Sequence, residues 1–577
     1  MSRPCRNLIA KEFMATTDCV VRTADGGEFP AHRALLAATS GYFQAAFSEG
    51  IGASRDVTLD GVSAVVFEEL LYFLYTDSIC LDSDNVLQIL EAADCLMMDE
   101  ARDKCLQYLI GEMRQDNCLG FAALAKPHYA PFFKEALLKF IREHFDEVWR
   151  HSDEFLHTRP ELLCEVLSSD ELNVRKEVDL LRALDRWISS ATDEDLTALP
   201  ALLQCVRVGL CSQSELDEIR QRCPDFVRTK EYQEAIEEAL QRALCRCQPS
   251  PLVLWATLAP GSLFCGRCGG SPPYRWRPRL PYEVLAVVGG CSDDGQIEVY
   301  DPKADRWIVH TNNDAVTPRV YHGVALLGTR IYVVGGCTTG DTYLRTVDGF
   351  DTVTGDWEHC DSMHVAHAFV PVAVLDGHLY AIGGHTGYVR TASVERYIPH
   401  RNHRTMVASL RRRRSAAAAC AYRGKLYVSG GSSGGDVLSS VEEYTVELDS
   451  WVLVMSMPSP RSNHRMVVHD DSIYVIGGYN GRRRLDLVLK NVGNVVREWE
   501  DVAPLSVSRS SFTVVDFRGE IYVIGGVTDG GLTAVVEHYS SVSNTWRSLA
   551  APLGQPLGAM DACAVVGLAA ARRLSGR

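Results

Sequence analysis

A glycine pair that returns at nearly constant intervals is the feature that most constrains this fold. The segment "SIYVIGG" at 472–478 recurs as "RIYVVGG" from 330, "HLYAIGG" from 378, "KLYVSGG" from 425 and "EIYVIGG" from 520, with a weaker copy, "EVLAVVGG", from 283. By subtraction, the second glycines of the six pairs lie 46 to 48 residues apart. This period indicates a propeller or a solenoid, and the repeated order of strand, glycine pair, loop and strand favours the propeller.

Aromatic residues support the same choice, because in four repeats one of them precedes a tryptophan by seven positions. The pairs are Tyr300 and Trp307, Phe350 and Trp357, Tyr444 and Trp451, and Tyr539 and Trp546. Such a pair can lie on one face of a sheet and pack against the next blade. Two repeats depart from the pattern: Arg404 takes the place of the third tryptophan, and Val492 that of the fifth tyrosine.

The glycine pair, the tyrosine and the tryptophan together resemble a Kelch repeat. Six of them imply an all-β, six-bladed propeller of four-stranded blades over residues 282–568, followed by a tail at 569–577. The first repeat lacks an innermost strand, while the apolar segment "AMDACAVVGL" at 559–568 has no blade of its own. We expect these two parts to share one blade and so remove two exposed sheet edges.

Length and charge set the broad class of the protein. A chain of 577 residues is too long for one core. Residues 1–245 carry 25 Lys and Arg against 43 Asp and Glu, whereas residues 246–577 carry 33 against 31. The acidic half argues against nucleic acid as a partner.

The cellular setting follows from what the sequence does not contain. No apolar run reaches about 18 residues, so we expect no membrane partner, and "MSRPCRNLIAKEF" lacks a signal-peptide core. The 19 cysteines, an odd number and scattered, are typical of reduced thiols. We expect a cytoplasmic protein, with the nucleus as a second compartment.

The N-terminal segment "DCVVRTADGGEFPAHRALLAATSGYFQAAF" indicates a strand, a hairpin turn and an amphipathic helix. It closely resembles a BTB domain, an α/β fold that we assign to residues 1–115. The resemblance implies a homodimer, with Asp18, His32 and Arg33 near the dimer interface. Alternatively, these three polar residues stabilise the fold within one subunit.

In that family, BTB domains of this kind bind cullin-3 beside their third helix. There a hydrophobic residue, any residue and a glutamate often follow one another. The matching triplet is Ile51, Gly52 and Ala53, so the glutamate is missing. The resemblance implies that Phe47, Ile51 and Ala53 lie against cullin-3, in an interface that lacks the charge of this glutamate.

Residues 116–245 have apolar residues at helical spacing, for example in "FKEALLKFIREHFDEVW" and "EVDLLRALDRWI". They resemble the all-α BACK domain that joins BTB to Kelch. Residues 246–281 fit no repeat and are interpreted as a linker. Four cysteines in this region could form a zinc site, although the spacing of the first pair is unfavourable: Cys245, Cys247, Cys265 and Cys268.

Catalytic motifs are missing from the sequence. It has no H-E-x-x-H, no P-loop and no dinucleotide fingerprint, and "GGSSG" at 430–434 precedes a strand rather than the helix of a nucleophile elbow. We therefore predict no enzyme activity, no cofactor and no metal. A copper enzyme with a similar propeller is disfavoured because no credible set of Tyr, Cys and His ligands is found.

A binding face is better supported, because four repeats carry an arginine 16 residues before the first glycine of the pair. These are Arg319, Arg414, Arg461 and Arg509; the third repeat has His367. By resemblance, this position lies at the mouth of the central channel, where a ring of guanidinium groups would suit an acidic or phosphorylated peptide. The predicted surface also includes Tyr321, His322, Asn463, His464, Ser510, Tyr388 and Tyr479. The alternative is that the arginines brace neighbouring blades.

Two functions follow from the resemblance. In the first, the BTB and BACK domains bind cullin-3 in a ubiquitin ligase while the propeller recruits a protein substrate. In the second, the chain is an actin-binding or cytoskeletal scaffold without a ligase role.

Overall fold

The computed structural model describes residues 17–48, 56–124, 131–211, 213–222, 230, 233, 279–291, 296–310, 317–491 and 498–576. These residues belong to two compact units, Met1–Arg277 and Pro278–Arg577.

The first unit begins with a three-stranded sheet. Its central strand, Cys19–Thr23, pairs antiparallel with Glu28–Ala31 and parallel with Asp56–Leu59. Gly26, at φ +89°, lies in the predicted hairpin turn between the first two strands. The helices of this part are Arg33–Thr39, Gly41–Ser48, Ala64–Thr76, Val86–Cys95 and Asp99–Gly111.

The rest of the first unit is helical, as its apolar spacing predicts. Its α-helices are Cys118–Phe121, Pro131–Glu143, Phe145–His151, Pro160–Leu167, Val178–Ile188, Asp193–Leu196, Leu199–Cys205 and Gln213–Arg222. One continuous apolar core, from Cys19 to Ile219, joins these helices to those of the sheet-containing part. The predicted combination of an α/β domain and an all-α domain is confirmed.

The second unit consists of six antiparallel four-stranded sheets, which we number as blades 1 to 6. Blade 1 contains Asp561–Val566, Glu283–Val288, Ile297–Asp301 and Arg306–His310. Blade 2 contains Gly323–Leu327, Arg330–Val334, Val347–Asp351 and Trp357–Cys360. Blade 3 contains Val372–Leu375, His378–Ile382, Val394–Ile398 and His403–Val407. Blade 4 contains Ala418–Tyr422, Lys425–Ser429, Ser440–Thr445 and Ser450–Ser456. Blade 5 contains Arg465–His469, Ser472–Ile476, Val488–Asn491 and Trp499–Val502. Blade 6 contains Thr513–Phe517, Glu520–Ile524, Val536–Ser540 and Thr545–Ser548. A short hairpin, Val527–Thr528 with Gly531–Leu532, follows the second strand of blade 6.

The blades form a closed ring, because the innermost strand of each contacts that of the next, including blade 6 with blade 1. Blade 1 takes its innermost strand from the C-terminal end of the chain, with Asp561 opposite Val288 and Val566 opposite Glu283. The predicted six-bladed propeller and its closure are both confirmed.

The closing strand is followed by a short helix in the segment predicted as a C-terminal tail. Leu568–Leu574 form a helix whose Ala570, Ala571 and Leu574 are buried in the apolar cluster of blades 1 and 2. The segment predicted as a tail is therefore part of the propeller's packing.

The predicted aromatic pairs lie directly opposite each other on neighbouring strands, as in Tyr444 and Trp451. In blade 3, the guanidinium of Arg404 replaces the tryptophan ring and lies 4.8 Å from the ring centre of Tyr397, its cross-strand partner. Arg404 is buried, and its Nε donates to the backbone oxygen of Asp361 at 2.8 Å.

In blade 5 the fifth tyrosine position is not the one that the spacing predicts. Asn491, rather than Val492, pairs with Trp499 and occupies the place of Tyr444 in blade 4. The connection before Trp499 is one residue longer, so a constant seven-residue spacing assigns the wrong neighbour. Val492 itself lies outside the described residues.

The glycine pairs are explained by close backbone approach. Gly478 has φ +100°, and a Cβ atom there would lie 2.6 Å from Cβ of His464 and 2.9 Å from the backbone oxygen of Ser462. Only glycine meets both the left-handed conformation and the lack of space.

Candidate functional site at the channel mouth

The four repeated arginines lie inside their blades. Arg319, Arg414, Arg461 and Arg509 are at most 3% exposed. Ion pairs with a buried carboxylate on the third strand of the same blade hold three of them: Arg319 with Asp348, Arg414 with Glu442 and Arg509 with Glu537. These guanidinium groups are neutralised within the propeller, which fits the bracing role better than contact with an acidic peptide.

The spacing of 16 residues has a structural explanation. Nη1 of Arg414 donates to the backbone oxygen of Gly430, the first glycine of its own blade, at 2.8 Å, and Arg461 and Arg509 repeat this contact. The backbone oxygen of Arg414 in turn accepts a hydrogen bond from the second glycine of the preceding blade, Gly384, at 2.9 Å. Each arginine therefore links the end of one blade to the next.

Blade 5 is an exception because its arginine lacks a carboxylate partner. Leu489 occupies the position of Glu442, and among the described residues no acidic group lies within ion-pair distance of Arg461. Burial lowers the pKa of Arg461 to about 10, and the nearby charge of Asp501 partly opposes this shift. Pro458, three residues before Arg461, has no N–H group, whereas the corresponding backbone N–H of blade 4, that of Arg411, donates to Glu442 at 2.7 Å.

Blade 1 shows the opposite exception. Its buried acid is Glu298, and Leu557 stands at the arginine position of the repeat. Burial raises the pKa of Glu298, and the backbone N–H of Gly554 donates to its carboxylate at 3.4 Å. In the described part of the propeller, blade 1 thus contains a buried acid without a paired arginine, and blade 5 a buried arginine without a paired acid.

The mouth of the channel is built by a ring of backbone hydrogen bonds. Two residues after each arginine position, one residue per blade adopts a left-handed conformation with φ between 50° and 59°. The N–H of each donates to the carbonyl of its counterpart in the preceding blade, at 2.8 to 3.0 Å. The six residues are Tyr321, Phe369, Ala416, Asn463, Ser511 and Ala559. The closed ring fixes the diameter of the opening.

A pocket of about 410 Å³, partly open to solvent, lies at this ring. Tyr321 and Phe369 stack on one side of it, with ring centres 3.9 Å apart. Arg465 crosses from blade 5, and its Nη2 lies 3.2 Å from Oδ1 of Asp561 in blade 1. Asp561 also accepts hydrogen bonds from Thr513 and from the backbone of Val324. This ion pair therefore links blades 5 and 1 beside the pocket.

Sequence reasoning missed Arg465 and Asp561. Both stand four residues after the arginine position of the repeat, where blades 2, 3 and 4 have Gly323, Pro371 and Ala418. The sequence did contain a signal for them. Two opposite charges stand at a repeat position where the other blades named have a small, uncharged residue.

Two predicted residues, His322 and His464, line the pocket as buried imidazoles. Nε2 of His322 lies 3.0 Å from the backbone oxygen of Val288, and Nε2 of His464 lies 2.7 Å from the hydroxyl of Ser429. Burial lowers the pKa of His322 to about 4 and holds that of His464 well below its usual range. Both rings are neutral at physiological pH.

The structure brings Tyr321, His322, Asn463 and His464 together in this pocket. Ser510 and Tyr479 lie at the same end of the propeller, where each forms a bridge to a neighbouring segment, Ser510 with Val527 and Tyr479 with Ser462. Tyr388 lies on the loop after the blade 3 glycine pair and is 94% exposed.

The residues predicted at the dimer interface make contacts within the first unit. The backbone N–H of Arg33 donates to Oδ1 of Asp18 at 2.8 Å, and Nδ1 of His32 lies 2.7 Å from the hydroxyl of Tyr75. The Arg33 guanidinium lies 4.8 Å from the ring centre of Phe47. These contacts suit the fold-stabilising alternative, and the interface role stays a prediction.

The remaining predicted positions fall outside the described residues: Ile51 and Ala53 at the cullin-3 site, and Cys245, Cys247, Cys265 and Cys268 at the zinc site. Across the described ranges, no group of three or more His, Cys, Asp or Glu side chains could hold a metal ion. A search of the same ranges for a helix of membrane-spanning length and apolarity finds none.

Comparison with protein families matches most of the chain. Residues 9–112 match the BTB/POZ domain and residues 118–221 match "BTB And C-terminal Kelch". Residues 282–478 match the KLHDC2/KLHL20/DRC7 Kelch-repeats domain, and residues 508–552 match the Kelch motif.

Individual proteins are similar over the same regions. Kelch-like protein 25 of Homo sapiens is 30% identical over 421 residues, covering 70% of this chain and 67% of that protein. Its Xenopus laevis counterpart is 29% identical over 67% of this chain and 64% of that protein. Kelch-like protein 9 of Mus musculus is 29% identical over 66% of this chain and 60% of that protein.

From the sequence we expect a particular likeness to kelch-like protein ten, based on the segments "RPRLPYEVLAVVGG", "DPKADRW", "PRVYHGVALL" and "GYVR" with "SVERY". The similarity to kelch-like proteins 25 and 9 supports the family but not that particular member. The order of the matched domains and the extent of the similarity to kelch-like protein 25 identify the family of the chain rather than a particular member. It belongs to the kelch-like family, whose members combine a BTB domain, a BACK domain and a Kelch propeller.

Proposed function

We propose that this protein is the substrate-recognition adaptor of a cullin-3 ubiquitin ligase. The BTB domain would bind cullin-3 and form a homodimer, and the propeller would recruit the protein to be ubiquitinated. The observation that carries this proposal is the succession of BTB, BACK and Kelch regions on one chain, an architecture typical of such adaptors. The chain acts in the cytoplasm, with the nucleus as a second compartment.

The adaptor works by proximity rather than by chemistry. Two propellers on one dimer raise the effective concentration of a substrate that has two binding motifs, so weak individual contacts suffice. The mouth of the channel supports this role because a rigid backbone ring presents an aromatic pair beside a partly open pocket. Rigid presentation lowers the entropy lost on binding.

Calorimetric titration of the full-length chain with the N-terminal region of cullin-3 tests the proposal. We expect sub-micromolar binding by the native chain, tighter binding by Ala53→Glu, and at least tenfold weaker binding by Ile51→Arg, because a charge would then enter an apolar contact. No binding by either the native chain or Ala53→Glu would refute the adaptor role. Co-sedimentation with filamentous actin would then support the scaffold function.

A further inference from the structure

A second, exposed set of arginines lies on the loops of blades 3 to 5 at the mouth end of the propeller. We call Arg390, Arg412, Arg413, Arg482 and Arg483 the basic arc. The last four have exposed side chains, and within the described residues none of these four has an ion-pair partner. The loops that carry the arc contain one acid, Asp486, and the neighbouring blade 4 loop adds Asp436. Positive charge therefore dominates this part of the mouth.

Blades 3 and 4 bring the first three arginines of the arc together. The N–H of Leu410 donates to the backbone oxygen of Ala392 at 2.8 Å, and the N–H of Arg414 donates to that of Thr391 at 3.0 Å. Arg412 and Arg413 therefore protrude between two points fixed to the blade 3 loop. Nε of Arg390 donates to the hydroxyl of Ser415 at 3.1 Å, which places its guanidinium beside the same turn.

The blade 3 loop also presents an apolar contact next to these charges. Tyr388 is 94% exposed and Val389 is 56% exposed. The hydroxyl of Thr386 accepts hydrogen bonds from the backbone N–H groups of both, so the turn is held in one conformation. A fixed, exposed tyrosine beside arginines is the composition of an interface hot spot.

The blade 5 loop fixes the other end of the arc. The backbone N–H groups of Arg482 and Arg483 both donate to Oδ1 of Asn480 at 2.9 Å, which holds the tip of the loop. Arg484 is not available in the same way, because it pairs with Asp529 of blade 6 at 2.9 Å. A Cβ atom on Gly481 would lie 3.5 Å from Val437, so this loop contacts the blade 4 loop.

We infer that the basic arc binds an acidic protein segment that carries an apolar residue for Tyr388 and Val389. This inference rests on the proposed function, because the segment would belong to the recruited protein. Carboxylates would pair with Arg412 and Arg413 at one end and with Arg482 and Arg483 at the other. Guanidinium groups suit this task because they bind carboxylates through two parallel hydrogen bonds.

The size of the basic arc favours a short acidic protein segment over a long polyanion. The arc is a local cluster on a half of the chain that is close to neutral, with 33 Lys and Arg against 31 Asp and Glu in residues 246–577. Beyond about one Debye length, roughly 8 Å, its attraction is screened, so it acts on the charges of a short segment and adds little along an extended polyanion. The apolar pair at Tyr388 and Val389 also has no counterpart to contact on a phosphate backbone.

Fluorescence anisotropy with the full-length chain tests the inference. The probe is a fluorescein-labelled dodecapeptide of Glu and Asp with one central Leu, and its control has Gln and Asn at the acidic positions. The double variant R412E/R413E should bind the probe at least tenfold more weakly, and Tyr388→Ala several-fold more weakly. The matched charge-reversal control is R401E/R547E, on two exposed arginines away from these loops, and it should stay within twofold of the native chain.

Cullin-3 binding is measured on the same preparations, so failure of this inference and failure of the adaptor role give different results. Equal binding of the acidic and neutral peptides, or unchanged binding by R412E/R413E, overturns the basic arc as a recognition surface. Tighter binding of a DNA oligonucleotide or of phosphatidylserine vesicles than of the acidic peptide overturns the choice of partner. Acidic-peptide binding without cullin-3 binding supports the arc while refuting the adaptor.

Discussion

Arginines close together in the sequence at the channel mouth differ in role. Arg414 is buried and paired, whereas its neighbours Arg412 and Arg413 are exposed and unpaired within the described residues. The internal contact of the arginine recurs from blade to blade, since the glycine carbonyl that it binds is itself part of the repeat. A recurring charged residue in a repeat protein is therefore as compatible with joining repeats as with binding a ligand.

Buried histidines should make the propeller sensitive to acid. The pKa of His322 falls to about 4 in the folded state, against about 6.5 in an unfolded chain. The unfolded state therefore binds the proton first, and this group's contribution to stability is lost as the pH falls from about 6.5 towards 4. For His322 alone the full loss is on the order of 3 kcal/mol.

Thermal unfolding of His322→Gln between pH 7.5 and pH 4 measures this effect. Glutamine can still donate a hydrogen bond to the backbone oxygen of Val288 but does not titrate, so the variant should lose less stability on acidification than the native chain. His403→Gln, at an exposed position, is the control and should follow the native curve. Parallel curves for His322→Gln and the native chain would contradict the prediction.

At the scale of the element, the six blades are variations on one arrangement of charge. Blades 2, 4 and 6 contain the complete ion pair, blade 5 lacks its acid, and blade 1 lacks its arginine. Blade 3 has the buried acid Glu395 but His367 at the arginine position. Pro458 suits blade 5, because a backbone N–H at that position would be without the carboxylate that accepts it elsewhere. Pro458 thus removes a backbone donor that would have no carboxylate acceptor in blade 5.

Removal of the acid from blade 4 and addition of an acid to blade 5 test whether the ion pair stabilises a blade. Glu442→Leu leaves the buried charge of Arg414 without its carboxylate, and we expect a loss of about 3 kcal/mol in the free energy of unfolding. Leu489→Glu supplies Arg461 with a carboxylate and should leave the stability unchanged or raise it. Denaturant titration of both variants distinguishes the cases. A native-like midpoint for Glu442→Leu would show that the ion pair contributes nothing net.

For the whole molecule, ring closure depends on the last residues of the chain. The closing strand Asp561–Val566 forms the inner edge of blade 1, and the following helix buries Ala570, Ala571 and Leu574. Closure removes the two sheet edges that an open ring would expose.

Stepwise truncation measures the contribution of each part. Deletion of residues 568–577 should lower the stability of the propeller by roughly 3 kcal/mol through reduced apolar burial while the ring stays folded. Deletion of residues 559–577 also removes the strand and should abolish cooperative unfolding. Near-UV circular dichroism during heating separates the two results, with Leu574→Ala as an intermediate control. Equal melting temperatures for the native chain and both truncations would exclude a role for the terminus in closure.

The sequence by itself determined the elements that local pattern controls. The period of the glycine pairs, the alternation within strands and the helical spacing after residue 116 are short-range properties, and each specified the kind of fold correctly. The closing strand was also predictable, because an unpaired apolar strand at the end of the chain matched the missing innermost strand of the first repeat.

Only the tertiary structure decided which side chains face solvent and which face one another. A spacing of 16 residues locates an arginine but does not show that Gly430 and Glu442 enclose its guanidinium. Likewise Arg465 and Asp561, 96 residues apart in the chain, meet only because ring closure places blades 1 and 5 around one channel. Burial and long-range pairing arise from the packing of all six blades, so they cannot be derived from any single repeat.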